Sequence, residues 1–187
     1  MGFAIARAAA EAGADVTLVA GPVHLATPRG VRRIDVGTAQ QMFDAVLGAA
    51  PLHKLFVATA AVADWRPATF SDHKIKKSGE KIAPTFELTE NPDILAAVAR
   101  LPAGERPYCV GFAAESHDLL KHARAKLERK NVELIVANLG PATFGRDDNA
   151  LTLIDAKGHR EYARADKLTL ARQLVADIAD RLTALRA

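Results

Sequence analysis

Apolar runs of strand length alternate along this chain with stretches whose apolar positions recur every three or four residues. Residues 1–12 predict a helix with Phe3, Ala4, Ala8 and Ala12 on its apolar face and Gly13 as its stop. Val16–Ala20 predicts a buried strand that Gly21-Pro22 ends, and residues 31–36 a second strand. Residues 39–50 predict a helix capped by Thr38, with Met42, Val46 and Ala49 on one face. A buried strand follows at 54–58. Residues 84–88 alternate as a half-exposed strand does. Asn91 is placed to cap a helix running to Arg100, with Pro92 in its first turn. Buried strands at 108–112 and 134–138 flank a helix at 119–129, whose expected core face is Leu119, Leu120, Ala123 and Leu127. After a loop at 140–149, strands at 151–155 and 159–163 enclose the hairpin signal Ala156-Lys157-Gly158. Residues 167–185 read as a long helix that buries Leu168, Ala171, Leu174, Val175, Ile178 and Leu182.

This order predicts an α/β fold: a mostly parallel, Rossmann-like sheet with helices on both faces, plus a C-terminal β-hairpin and helix. There is no internal repeat, low-complexity tract or linker, so residues 1–187 read as one domain. An α/β domain that opens on a helix is expected to lack its first strand.

Composition narrows the class. Of 187 residues, 49% are hydrophobic and 25% charged, which suits a water-soluble domain with a sizeable core. No apolar run approaches the roughly 20 residues that cross a bilayer. The first residues lack the basic-then-apolar order of a signal peptide. The single cysteine, Cys109, excludes an intrachain disulfide and sits in an apolar run, as a buried structural thiol does. These features predict a cytoplasmic protein. The net charge of +3 is spread along the chain and suits a nucleotide or phosphate ligand at least as well as a nucleic acid. No aromatic-plus-basic RNA-binding pattern accompanies it.

The candidate chemistry centres on residues 55–79. An apolar strand empties there into Thr59, Ala60, Ala61, Val62 and Ala63, then turns polar at Asp64. In open α/β sheets the crevice beyond the carboxyl end of a strand is where ligands sit. Asp64 reads either as a nucleotide or metal contact or as a turn-capping aspartate. Lys74, Lys76 and Lys77 read either as a solvated loop or as a flap that meets a polyanion. Asn91-Pro92-Asp93-Ile94 is a helix start whose free amides would also suit an anion or a base edge. His122, Lys126 and Lys130 share one helix face, and like charges so placed cost about 0.2–0.5 kcal/mol per pair, a cost that an anion relieves. Phe112, at a strand end, reads as core or as a ligand contact. Glu115, His117 and His122 do not make a metal set on sequence alone. Neither a nucleophile elbow nor a Walker loop is present.

The blocks Ala60-Ala61-Val62-Ala63-Asp64 and Lys74-Ile75-Lys76-Lys77 resemble the phosphopantothenate–cysteine ligase family of coenzyme A biosynthesis. The bacterial, CTP-dependent type looks closest, as found in the ligase domain of bifunctional coenzyme A biosynthesis proteins. The likeness runs from Met1 to at least Leu153. It implies a ligase that joins phosphopantothenate to L-cysteine through an acyl-cytidylate at the expense of CTP, with Mg2+ neutralising the triphosphate. It implies Lys74 as a catalytic residue that also contacts the nucleotide. Asp64, Asn91, Pro92, Asp93, Ile94, Phe112, Lys126 and Lys130 are then nucleotide contacts, and Ala60 and Ala61 contact the other substrate. The metal ligands stay unassigned. The resemblance further implies a homodimer, fusion to or association with a flavin-dependent decarboxylase, a glycine- and asparagine-bearing loop before residue 1, and closure of residues 76–81 over the intermediate. Two alternatives use the same sheet. An NAD(P)-dependent oxidoreductase needs an acid after the second strand, where Gly21-Pro22 follows Val16–Ala20. A non-catalytic nucleotide-binding module would bind without turnover.

Overall fold

The computed structural model describes residues 1–69, 71, 73–74, 85–140 and 146–185. In chain order they form α1 (Gly2–Glu11), β1 (Val16–Ala20), β2 (Val31–Asp35), α2 (Ala39–Ala49), β3 (Leu55–Ala58), β4 (Trp65–Pro67), β5 (Leu88–Glu90), α3 (Ile94–Ala99), β6 (Tyr108–Glu115), α4 (Leu119–Lys130), β7 (Leu134–Leu139), β8 (Asp148–Asp155), β9 (Gly158–Asp166) and α5 (Lys167–Ala184). Local chemistry sets many of these ends. Gly13 takes a positive φ of 86° just past α1, where a Cβ would be strained. Thr38 and Gln41 close a reciprocal capping box on α2. The Asp166 carboxylate accepts from the amides of Leu168 (3.0 Å) and Thr169 (2.9 Å) and starts α5.

The main sheet has the order β3-β6-β7-β8-β9. β3, β6 and β7 run parallel, and β8 and β9 join antiparallel as the C-terminal hairpin. β1 and β2 form a separate parallel pair, and β4 and β5 a short antiparallel one. The sheet is covered on both sides, as the alternation of helix and strand predicts. Cys109, Ala113, Ile135, Ala137 and Ile154 turn to one face and pack with residues of α2, α3 and α4. Val110, Leu134, Val136, Leu151 and Leu153 turn to the other and pack with Ile5 and Ala8 of α1 and Leu170, Leu174 and Ile178 of α5. Residues two apart along a strand share a face, and here both faces are buried, which is why these strands read as unbroken apolar runs.

Several expectations shift by tertiary context. The buried residues of α1 are Ile5, Ala6 and Ala8; Ala12 is exposed, and Phe3 lies half-buried under the Arg33 guanidinium. β3 is an end strand of its sheet and only half-buried. Leu120 faces outward while Ala123 and Leu127 enter the core. The strand expected at 84–88 is instead Leu88–Glu90, and its partner β4, three residues long, carries no alternation from which to read it. Cys109 is fully buried, and burial, reinforced by the nearby Glu133 carboxylate, pushes its thiol up to about 11, as befits an inert structural cysteine.

Gly111 of β6 sets the clearance between the sheet and α3. A Cβ there would stand 2.7 Å from Leu95 Cδ2 and 2.8 Å from Ile135 Cδ1, both on buried side chains. Gly111→Ala is therefore expected to destabilise the fold by about 1–3 kcal/mol through overpacking. Urea denaturation at unchanged m value measures this. Unchanged stability would show that Leu95 and Ile135 repack freely.

Candidate active site

A cavity of about 470 Å³ opens at the carboxyl ends of β3 and β6. Ala58, Ala60, Val62 and Ala63 contribute small side chains to its lining, so the chain leaving β3 stays clear of the space above the sheet. Asp64, Trp65 and Glu90 come from the β4–β5 ladder and its approach, Asn91 to Leu95 from the entry into α3, and Lys126 and Lys130 from α4. This is the crevice in which open α/β sheets hold their ligands.

Hydrogen bonds fix its walls. The Asn91 amide donates to the Asp64 carbonyl (2.8 Å), and its side-chain nitrogen donates to the Ala63 carbonyl (2.9 Å). Arg66 donates to the Glu90 carbonyl (2.6 Å) and to the Asn91 side-chain oxygen (3.1 Å). Asn91 is thus a staple between two loops. The α3 cap is not Asn91 but Asp93, whose carboxylate accepts from the Ala96 amide (3.0 Å). Asn and Asp both cap well, and the hydrogen bonds to Ala63 and Arg66 engage Asn91 elsewhere. α3 begins at Ile94, so Pro92 precedes it.

The two lysines are held by internal acceptors. Lys126 Nζ donates to the Phe112 carbonyl (2.6 Å), which lies within β6, since the strand runs on to Glu115 and does not end at Phe112 as expected. Lys130 Nζ contacts the Asp93 carboxylate and so ties α4 to the cap of α3. Burial, with the positive charge of Lys130 nearby, lowers the Lys126 ammonium below the ordinary lysine value. Burial works against the charge on Asp93, but the bonds from Lys130 and the Ala96 amide more than offset it and hold that carboxyl below its usual range.

Eight of the nine expected nucleotide contacts, Asp64, Asn91, Pro92, Asp93, Ile94, Phe112, Lys126 and Lys130, line this one cavity. The ring of Phe112 also packs against the core on the α1–α5 side. Ala60 lines the cavity; Ala61 is exposed and does not. Lys74 is exposed and outside the lining, and residues 76–81 lie outside the described residues. Trp65, Glu90 and Leu95 were not singled out, although Trp65 follows Asp64 directly. Arg66 was also missed, since its role depends on contacts with Glu90 and Asn91, 24 and 25 residues away. The set weighed on sequence was Glu115, His117 and His122; the structure instead groups His117 and His122 with Asp118, each bringing one ligand atom within 4.8 Å of the others.

Asp93→Ala removes a cap and the acceptor of Lys130, and is expected to cost about 1 kcal/mol at neutral pH. Because the folded carboxyl titrates below its unfolded value of about 3.9, its contribution is full above that value and is lost as the pH falls through the lower, folded one. Thermal melts of wild type and variant should therefore converge below about pH 3.9. A gap that persists unchanged in acid would assign the cost to the helix alone.

The family described as the DNA/pantothenate metabolism flavoprotein C-terminal domain matches residues 1–182. The coenzyme A biosynthesis bifunctional protein CoaBC of Vibrio cholerae is 51% identical over 174 residues, covering 91% of this chain and 43% of that protein. CoaBC of Escherichia coli K12 is 46% identical over 187 residues, covering 97% of this chain and 45% of that protein. The chain thus spans a little under half the length of these curated relatives. A crystal structure of the C-terminal domain of CoaBC superposes with a TM-score of 0.79 at 32% identity, covering 98% of this chain and 82% of that one. With its sheet, its cavity and these relatives in agreement, the chain belongs to the DNA/pantothenate metabolism flavoprotein C-terminal domain family.

Proposed function

We propose that this chain carries the phosphopantothenate–cysteine ligase activity of coenzyme A biosynthesis, with CTP as the activating nucleotide. The observation that carries this reading is the convergence of Asp64, the segment from Asn91 to Ile94, Lys126 and Lys130 on one cavity in a member of this family. In the first step a phosphopantothenate carboxylate oxygen attacks the α-phosphorus of CTP, the bond to the β-phosphate oxygen breaks, and pyrophosphate leaves. In the second, the cysteine amine attacks the acyl carbon, the bond to the cytidylate oxygen breaks, CMP leaves, and the amine proton passes to solvent.

The residues act mainly by positioning and charge. Lys126 and Lys130 offer ammonium groups to the phosphates, and charge-assisted bonds of this type are the strong ones. Asp64 and Glu90 give the cavity hard oxygen donors, which fit a magnesium ion shared between carboxylates and phosphates; such an ion would neutralise triphosphate charge. Lys74 would stabilise the transferring phosphate, and Ala60 and Ala61 would border the pantothenate arm. Trp65, Phe86 and Leu88 expose between 54% and 57% of their surface on and beside the β4–β5 ladder, an apolar patch suited to a second copy of the chain. Sedimentation equilibrium of wild type and Leu88→Asp tests that homodimer, and a monomeric wild type would remove it. A fused flavin-dependent decarboxylase domain would fit the bifunctional relatives, and among the described residues no helix is long and apolar enough to cross a membrane.

The deciding experiment is turnover by the native protein with phosphopantothenate, cysteine and either CTP or ATP. CMP and pyrophosphate should form with CTP and far more slowly with ATP. Equal or faster turnover with ATP would sink the CTP assignment. Without cysteine, Lys74→Gln should slow the first pyrophosphate release about 10²–10³-fold at saturating CTP. An unchanged rate would take Lys74 out of this step.

Lys126 gives a second test. Lys126→Ala should weaken CTP binding by about 1.5–3 kcal/mol with little change in melting temperature. A phosphate beside this lysine raises the pKa that burial has lowered, so CTP binding at alkaline pH should take up protons. Calorimetry in two buffers of different ionisation enthalpy reads that uptake. Uptake that survives in Lys126→Ala would place the titrating group elsewhere.

A further inference from the structure

Beyond the cavity, at the same end of the main sheet, β6 passes into α4 through Ser116, His117 and Asp118. Asp118 adopts the left-handed backbone region (φ 46°, ψ 41°), one of two described non-glycine residues with positive φ. Such a residue is worth a functional explanation. The reversal at Asp118 places His117 beside the first turn of α4, where its imidazole meets His122 edge to face. The ring centroids are 5.1 Å apart and the planes at 79°. One ligand atom from each of His117, Asp118 and His122 lies within 4.8 Å of the others.

The surroundings of the two imidazoles resemble those of metal ligands. His122 Nδ1 lies 3.2 Å from the Glu115 carboxylate, which can only accept, so Nδ1 is the donor of this contact and Nε2 is the nitrogen left to face a metal. His117 Nδ1 is engaged by the Ser116 hydroxyl (2.8 Å). Neither Nε2 has a hydrogen-bond partner among the described residues. A histidine oriented through one nitrogen by a carboxylate or other polar group, with the second nitrogen free, is the usual arrangement behind a metal ligand. None of Glu115, His117, Asp118 and His122 lines the cavity, so this cluster is separate from the nucleotide contacts.

We propose that His117, His122 and Asp118 form a binding site for a transition-metal dication of the zinc class, with Glu115 orienting His122. Two imidazoles and one carboxylate select Zn2+, Co2+ or Ni2+ over Mg2+, which prefers all-oxygen sites. Zn–N and Zn–O bonds of about 2.0–2.2 Å require tetrahedral ligand atoms roughly 3.3–3.6 Å apart, so the three side chains close in by about 1.5 Å or less. His117 and Asp118 are exposed and His122 half-buried, so rotamer changes suffice for that closure. Three protein ligands leave the fourth position to water, and exposure makes the ion exchangeable.

The probe is Co2+, added to untagged native protein in the absence of nucleotide. Wild type should bind one equivalent with the ligand-field absorption of a four- or five-coordinate ion, and Zn2+ should displace it while equimolar Mg2+ does not. His117→Ala and His122→Ala should each weaken Co2+ binding by about 100-fold, and Glu115→Gln by about 10-fold, the cost typical of losing a group that orients a ligand. Circular dichroism of each variant checks the fold, and exposed His117 gives the variant least apt to disturb it. His24, His53, His73 and His159 stay in every variant and set the background. Superposable titrations of wild type and His117→Ala, or displacement by Mg2+ as effective as by Zn2+, would overturn the site. No nucleotide enters the experiment, so its outcome is independent of the ligase reading.

Discussion

Two-sided burial of β6 and β7 is the constraint on which the remaining structure rests. Cys109, Val110, Leu134, Ile135 and Val136 have no exposed surface, so neither face of these strands can be given up to solvent. Helices α2–α4 must cover one face and α1 and α5 the other. Once α3 and α4 are pressed on the same face, their cavity-lining residues lie together above the carboxyl ends of β3 and β6. Gly111 fixes how closely α3 approaches. The site is therefore a by-product of core packing at one end of the sheet, completed by loops that the core does not specify.

Those loops are held by polar groups with more than one duty. Asn91 joins the Ala63–Asp64 turn to the β5–α3 junction, and Asp93 serves both the Ala96 amide and Lys130. Arg106 and Glu133 do the same at the opposite end of the sheet, where Glu133 also accepts from the Cys109 amide (2.7 Å). Each shared group makes two segments depend on each other, which narrows the number of loop conformations compatible with a formed core.

How much of this was legible in the sequence follows from the range of the forces involved. The apolar runs of β6 and β7 carry their own signal, as does the Ala156-Lys157-Gly158 turn, where the Asp155 carboxylate accepts from the Lys157 and Gly158 amides. The i, i+4, i+8 spacing of His122, Lys126 and Lys130 by itself puts all three on one face of α4. β4 was not legible, because three residues pair with β5 only through the global fold. The choice of Asp93 over Asn91 as cap turned on long-range partners of Asn91. The meeting of His117 with His122 turned on a left-handed Asp118, a conformation that composition does not announce. The family resemblance added what periodicity lacked, by grouping residues from Asp64 to Lys130 into one set, and the cavity brings that set together except for Lys74.

The contact between Lys130 and Asp93 has a consequence for any anion that enters the cleft. The Asp93 carboxylate keeps the Lys130 ammonium satisfied. An arriving phosphate does not meet a bare cation but exchanges with a carboxylate already seated. The free energy gained is the difference between two ion pairs, smaller than either, and its dependence on ionic strength is correspondingly shallow. A singly charged anion would have to displace the resident group alone, whereas a multiply charged phosphate chain would engage Lys126 and Lys130 together. Under the proposed nucleotide reading, the cleft would favour polyanions by exchange.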